Sequence, residues 1–404
     1  VRSSAASDVY KRQECKGVPK SNCLTKEQRL SLQMDEFMNR RYEFRYNTQI
    51  GEVEYRERFS FRFYFHPIDK RAQNSIMLDA QSEGIGVWDR DIDRYLHSNR
   101  VPIYNPLEEF LFHLPHWDGK DRIHALANRV PCNNPHWELL FHRWFLNMVS
   151  HWRGVNKMYA NSTSPILVGA QGTHKSTFCR EMIPPALRAY YTDSIDFSQK
   201  RDAELYLNRF ALINIDEFDQ ITLTQQGFLK HILQKPVVNL RKPHGRSVLE
   251  LQRYASFIGT SNQKDLLTDP SGSRRFICIE VTGNIDTTQP IDYEQLYAQA
   301  MHEISHGERY WFNSEDEQIM TENNREFEQT PAMLQLFYQY FRTPQAGEEG
   351  EFFTPVEILN YLKKKSGISL SDNKVYHFGR MLQKCGISSK HTYKGTVYQV
   401  VKIL

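Results

Sequence analysis

Ser164-Pro165-Ile166-Leu167-Val168-Gly169-Ala170-Gln171-Gly172-Thr173-His174-Lys175-Ser176-Thr177 is the stretch on which the fold turns. A short apolar run bounded by Pro reads as a buried strand and the glycines read as a tight loop. Phe178-Cys179-Arg180-Glu181-Met182 then continues in helical register. Strand, glycine loop and helix make a phosphate cradle, because backbone N–H groups and the positive end of the helix converge on phosphate oxygens. Gly169, Gln171, Gly172, Thr173, His174, Lys175, Ser176 and Thr177 are the expected nucleotide-binding residues, with Lys175 on the outer phosphates and the Ser176 hydroxyl on Mg²⁺. ATP is the expected ligand. The usual pattern has Gly immediately before the Lys, where this chain has His174. A β-carbon there restricts the backbone, so the expectation is a right-handed helical conformation with negative φ at His174.

Working outward, Phe210-Ala211-Leu212-Ile213-Asn214-Ile215-Asp216-Glu217 is a second apolar run ending in two carboxylates. A buried parallel strand would deliver them to the carboxyl edge of a sheet. There Asp216 would hold the metal with Ser176, and Glu217 would polarise an attacking water, since phosphoryl transfer is mostly positioning and charge stabilisation. A third run, Ala255 to Ser261, ends in Asn262, which suits a sensor near the γ-phosphate. Arg274 and Arg275 follow Gly272-Ser273 at a turn before another strand-like run, Phe276 to Val281, and are candidate arginine fingers.

The bulk figures suit a globular protein with two or three cores: 404 residues, 40% hydrophobic and 25% charged. A formal net charge of +3 means that any nucleic-acid surface is local rather than global. Six scattered cysteines without a C-x-x-C pair argue against zinc and against a secreted disulfide framework, and a reducing cytoplasm fits. No apolar run approaches a membrane span. Ser4 to Gln13 looks like a translated transposon-end sequencing adapter, so residues 1–13 are excluded from the fold, and the natural protein is expected to begin further upstream with an additional domain.

Residues 14–155 read as a mostly helical domain with a hairpin. A helix is expected near Leu24 to Tyr42, a hairpin from Tyr42 to Arg56 around Gly51, and further strand from Phe59 to Phe65. Helices are expected from Ile76 and again through Trp88 to Leu96. Val101 to Pro106 reads as a linker. The ATPase core is assigned to 156–285, a helical extension to 286–342 and a linker to 343–351. A small winged-helix-like domain takes 352–404, with helices followed by a basic hairpin. Between the second and third core strands, two β-favouring runs flank a Pro/Gly tip carrying Arg241, Lys242, His244 and Arg246.

The chain resembles the virulence-associated E family of P-loop proteins, related to superfamily 3 and poxvirus-type primase-helicases of phages, plasmids and genomic islands. The residues that carry the resemblance are Tyr104-Asn105-Pro106, Trp117-Asp118-Gly119-Lys120-Asp121-Arg122, the Gly169-to-Ser176 loop, Asp216-Glu217, Asn262 and Gly272-Ser273-Arg274-Arg275-Phe276. It implies an α/β P-loop NTPase core of the AAA+/superfamily 3 helicase type. Superfamily 3 helicases similarly place a hairpin bearing Lys and His before the sensor strand, which makes Arg241, Lys242, His244 and Arg246 candidate contacts to single-stranded or forked DNA. If Arg274 or Arg275 acts in trans, the active site lies between subunits and a homo-oligomeric ring follows, with a hexamer the expected form. Primase or other replication proteins are the further partners implied. Two rival readings stay open: an ATPase that loads or remodels replication proteins without unwinding, and a nucleotide-gated DNA-binding regulator without turnover.

Overall fold

A computed structural model describes residues 24–154, 159–241, 248–268, 270–329, 332–345, 347–367, 375–393 and 395–403. The adapter-like residues 1–13 and the hairpin-tip residues Lys242, His244 and Arg246 lie outside them. The chain is a mixed α/β structure whose central feature is a five-stranded parallel sheet. Among the described residues no helix is long and apolar enough to cross a membrane.

Helix α1 (Lys26–Arg41) starts at a capping box, Thr25 with Gln28, and buries Phe37 and Met38. Strands β1 (Tyr42–Asn47) and β2 (Glu52–Glu57) pair antiparallel around Gly51, whose φ of 72° the turn requires. The expected hairpin is extended on both sides, though not by Phe59 to Phe65: β3 (His66–Pro67) joins the far edge of β2 and β4 (Ile103–Tyr104) pairs parallel with β1. The linker reading of Val101 to Pro106 missed β4, which has only two residues and thus no periodicity to detect. Helices α2 (Lys70–Ser82) and α3 (Asp89–Leu96) cover this sheet, and Phe37, Phe44, Ile76, Val87, Ile92 and Leu96 fill the core between. Phe59 to Phe65 is irregular rather than strand. Its alternating aromatics have the period of a strand, but β3 already occupies the β2 edge (Tyr55↔His66) that they would need to pair with.

Three helices follow: α4 (Pro106–Phe112), α5 (Arg122–Ala127) and α6 (Trp137–Trp152). The parallel sheet then uses β5 (Ser164–Val168), β6 (Tyr191–Thr192), β7 (Leu212–Ile215), β10 (Ser256–Ser261) and β11 (Phe276–Glu280), in the spatial order β11-β5-β10-β7-β6. Every residue of β5, β7 and β10 is buried, as expected for parallel strands covered on both faces. One face packs Phe141, Trp144, Phe145 and Trp152 of α6 into the same core as Leu167, Ile258 and Ile279. Truncating one such aromatic to Ala costs about 3–5 kcal/mol. The other face packs Ile166, Ile213 and Phe257 against Leu207 of α8 (Lys200–Arg209) and Leu229 and Ile232 of α9 (Leu223–Leu233). Helix α6 therefore shares its core with the sheet, although the sequence groups it with the N-terminal domain.

Between α9 and β10 the chain forms an antiparallel pair, β8 (Val237–Arg241) and β9 (Val248–Gln252), the two strands of the expected hairpin. At its root the Arg253 guanidinium is wholly buried and donates to the carbonyls of Ile232, Leu233, Lys235, Ala255 and Asn161. Asn161 N–H in turn donates to His151 Nε2 at 3.1 Å, and His151 Nδ1 faces Asn147 O at 3.0 Å. This buried polar chain joins the hairpin root, the entry to β5 and the end of α6.

Helices α10 (Tyr293–Ser305) and α11 (Ser314–Asn323) return to the main core. Both lie within the helical extension expected over 286–342. A separate core, Phe337, Phe341, Ile358, Leu362, Phe378 and Val400, holds the last segment together. It combines α12 (Ala332–Tyr340), α13 (Pro355–Ser366) and α14 (Val375–Lys384) with β12 (Phe341–Arg342), β13 (Glu351–Phe353), β14 (Ser389–Thr392) and β15 (Gly395–Lys402). Strand β15 pairs antiparallel with each of the other three.

Candidate active site

Strand β5 runs straight into the loop 169–174 and then into α7 (Lys175–Glu181), so the strand–loop–helix expectation holds as local structure. Gly169 is required by proximity: a β-carbon there would meet Val281 O at 2.9 Å. Gly172 is required by conformation, with φ +85°.

His174 departs from the expectation. Its φ is +65° and ψ 23°, left-handed rather than right-handed. Gly172 and His174, two residues apart, both have positive φ, so the loop turns left-handed twice before the helix begins. The flank is held from outside, since Ile285 N–H donates to Thr173 O at 3.1 Å and His174 Nδ1 lies 3.4 Å from Ile285 O. His174 O still accepts the first helical bond from Phe178 N–H at 3.0 Å. Among the described residues, the only other non-glycine with positive φ is Glu217, at 52°. Such conformations cost about 1–3 kcal/mol each and gather at functional sites; here both lie at the strand ends that carry the candidate site.

The sheet order explains what meets the loop. Strand β10 lies between β5 and β7, so the ends of three neighbouring parallel strands converge. Lys175 is buried, and its Nζ donates to Gly169 O at 2.8 Å, Ala170 O at 2.7 Å and Asn262 Oδ1 at 3.2 Å. Burial pulls its pKa below the ordinary value, and the nearby Asp216 carboxylate opposes that. Ser176 Oγ donates to Asp216 Oδ1 at 3.0 Å, and Thr260 Oγ1 donates to the same oxygen. Glu217 is exposed beside this cluster. Lys175, Ser176, Asp216 and Asn262 are thus brought together from sequence positions up to 87 apart.

Sequence reasoning missed two residues here. Thr260 orients Asp216, and Asp219 accepts from Ser261 Oγ at 2.7 Å and Asn262 N–H at 3.3 Å, which fixes the end of β10. The polar triplet Thr260-Ser261-Asn262 closing an apolar strand was the available signal.

Arg274 and Arg275 are not at this site. They precede β11, whose register with β5 runs from Phe276↔Ser164 to Glu280↔Val168, so they occupy the opposite edge of the sheet from the loop. At about 3.3 Å per residue the separation along β5 is on the order of 15 Å. Arg274 pairs with Glu317 at 2.9 Å. Both arginines line a cavity of about 560 Å³ with Tyr310, Trp311 and Phe312. Of the hairpin residues, Arg241 closes β8, and the tip lies outside the described residues.

The motifs upstream prove to be fastenings. Asn105 caps α4 through Leu107 N–H at 3.1 Å and reaches Tyr254 OH at 3.0 Å. Asp118 takes a bidentate grip on Arg122 at 2.6 and 2.8 Å, and Arg122 also contacts Asp292 at 3.1 Å. The Arg122 guanidinium holds the Asp118 carboxyl well below the usual carboxylate range.

A family model described as virulence-associated protein E-like domain matches residues 111–329, more than half of the chain. The chain belongs to this family. A second model, described as a domain of unknown function from B. Theta, matches residues 330–400 of the virulence-associated E-like chain. No curated protein matches in sequence. Among solved structures, the apo NrS-1 C terminal region (305-718) is 12% identical, with 92% of this chain and 98% of that one covered and a TM-score of 0.47. The A form of the apo NrS-1 C terminal region, also 12% identical, covers 92% and 99% at a TM-score of 0.42.

Proposed function

We propose that this virulence-associated E-like chain is a P-loop ATPase of the AAA+/superfamily 3 type, acting on single-stranded or forked DNA in the replication of a phage, plasmid or genomic island. The observation that carries this reading is the convergence of Lys175, Ser176, Asp216 and Asn262 at the ends of three parallel strands. The donor set fits the cofactors. Ser176 and Asp216 offer a hydroxyl and a carboxylate oxygen, the hard ligands Mg²⁺ prefers, and Lys175 and the loop amides suit phosphate. Bound Mg²⁺ supplies neutralisation of phosphate charge. Lys175 exchanges its contacts with the Gly169 and Ala170 carbonyls for the outer phosphates, Glu217 orients and deprotonates water, and Asn262 aligns it.

Arg274 and Arg275, remote from their own loop, serve a neighbouring subunit in a homo-oligomeric ring, of which a hexamer is the expected form. The final segment, with α13 and α14 followed by the β14–β15 hairpin, is read as a winged-helix-like module. Primase or other replication proteins are further partners of this assembly.

The test is ATP hydrolysis with Mg²⁺, with and without single-stranded DNA, followed by strand displacement on a forked duplex. Lys175→Ala and Glu217→Gln should each lower kcat by about 100-fold or more, with Glu217→Gln still binding ATP. Hydrolysis without displacement would select a loader, and binding of nucleotide and DNA without hydrolysis a regulator. Wild-type turnover by Glu217→Gln would remove that residue from its role.

A further inference from the structure

The stretch Arg58-Phe59-Ser60-Phe61-Arg62-Phe63-Tyr64-Phe65 links β2 to β3 and packs little of itself away. Phe59, Phe61, Phe63 and Tyr64 are 86%, 95%, 77% and 67% exposed, the densest run of exposed large rings among the described residues. An exposed apolar cluster of this kind marks an interaction surface. Its composition narrows the partner. Every apolar residue from 58 to 65 is aromatic and none is aliphatic, so each presents a flat π-face on which a base can stack. The rings alternate with or adjoin Arg56, Arg58 and Arg62, and Glu57 is the one acid between Arg56 and His66.

The root of the segment is fixed in place. Arg45 stacks 4.0 Å from the Phe65 ring centroid and 3.7 Å from that of Tyr104, and Arg56 lies 4.8 Å from Phe65. Arg58 is held by Glu43 at 2.7 Å and donates to Asn39 O at 2.7 Å. Glu43 also pairs with Arg56, so the exposed rings are displayed from a base braced by ion pairs, with the exposed Arg62 among them, a combination of flat π-faces and a guanidinium group that suits bases and phosphates.

We propose that residues 58–65 form a stacking platform for single-stranded nucleic acid, separate from the β8–β9 hairpin. The proposal rests on the reading that this chain works on DNA. Bases stack on Phe59, Phe61 and Phe63, and Arg62 contacts the backbone, without sequence preference.

The test uses fluorescein-labelled oligodeoxythymidylate of about 16 nucleotides, titrated by anisotropy against the full chain and its variants. Phe59→Ala, Phe61→Ala and Phe63→Ala should each raise Kd by about fivefold or more, and the triple variant by far more. Arg62→Ala should reduce the salt slope of log K by about 0.7. Thermal stability and DNA-free ATP hydrolysis should be unchanged in all five variants, because these side chains are exposed and none belongs to the Lys175–Asp216 cluster. Ultraviolet crosslinking should attach the oligonucleotide to a peptide containing residues 58–65.

A triple variant that binds with the wild-type Kd overturns the proposal. So does a wild-type chain that hydrolyses ATP but binds no oligonucleotide. A chain that binds DNA through these rings yet hydrolyses no ATP supports the platform while defeating the ATPase reading.

Discussion

His174 holds a left-handed conformation that a glycine would adopt without cost, at the point where the 169–174 loop becomes a helix. A side chain there costs about 1–2 kcal/mol, although His pays less than a β-branched residue would. His174→Gly should therefore leave stability equal or raise it by up to about 1 kcal/mol, after the greater entropy of an unfolded glycine is subtracted. His174→Val should lose more than about 1 kcal/mol. Urea denaturation of the three proteins, with nucleotide titration alongside, reads both effects. His151 supports a second expectation. Burial first, and the neighbouring Arg253 second, depress its pKa from 6.5 to about 4. Its Nε2 is the acceptor for Asn161 N–H, so the folded state needs the neutral ring. Between about pH 6.5 and 4 the unfolded chain binds a proton that the folded chain refuses. The stabilisation from this group is complete above pH 6.5 and falls with pH by about 1.4 kcal/mol per unit, up to about 3 kcal/mol. Denaturant midpoints at pH 7 and pH 5 should differ less in His151→Gln than in the wild type; an equal difference would exclude His151 as the source.

Elements with strong periodicity or chemistry at their ends are legible in the sequence. The α1 helix, the β1–β2 hairpin and the three strands that carry Lys175, Asp216 and Asn262 all follow from the sequence, because apolar runs of five or six residues bounded by glycine or carboxylates have few other uses. What failed was decided by tertiary partners. The aromatic alternation from Phe59 to Phe65 predicts a strand only if an edge is open. Tyr104 looked like linker because its pairing partner, Asn47, lies 57 positions away. Arg253 gave no signal at all, since a lone arginine after a strand ordinarily faces water. At this scale the hairpin carries its own expectation. Strands β8 and β9 are in register from Val237↔Gln252 to Arg241↔Val248, and they deliver the segment bearing Lys242 and His244. Lys242→Ala with His244→Ala should weaken single-stranded DNA binding and abolish DNA stimulation of the ATPase while basal hydrolysis persists. The salt slope should become shallower by about 0.7 for each lost contact. Unchanged affinity and slope would leave the final segment and the 58–65 rings as the DNA contacts.

For the whole molecule, the 169–174 loop and the Arg274–Arg275 pair lie at opposite strand ends of the sheet, and in the proposed ring they would give each copy a donor side and an acceptor side. Mixing inactive Lys175→Ala subunits with inactive Arg274→Ala/Arg275→Ala subunits should restore hydrolysis. For a random ring at equal amounts the yield is about a quarter of the wild-type rate, since each working junction needs one intact loop and one intact arginine pair. No recovery in the mixture, with oligomers confirmed by light scattering, would count against action in trans. The shared core has a further consequence for how such genes can be cut and rejoined. Residues from Leu107 to Phe327 contribute to the two cores that flank the parallel sheet, and Leu334 to Val400 to another. The two family matches, 111–329 and 330–400, break at nearly the same point. Recombination near residue 330 would exchange an intact tail for another, as a cassette. A crossover near 155, between Trp152 and Leu167, would split one hydrophobic interior between two parents, and its offspring would inherit half of each.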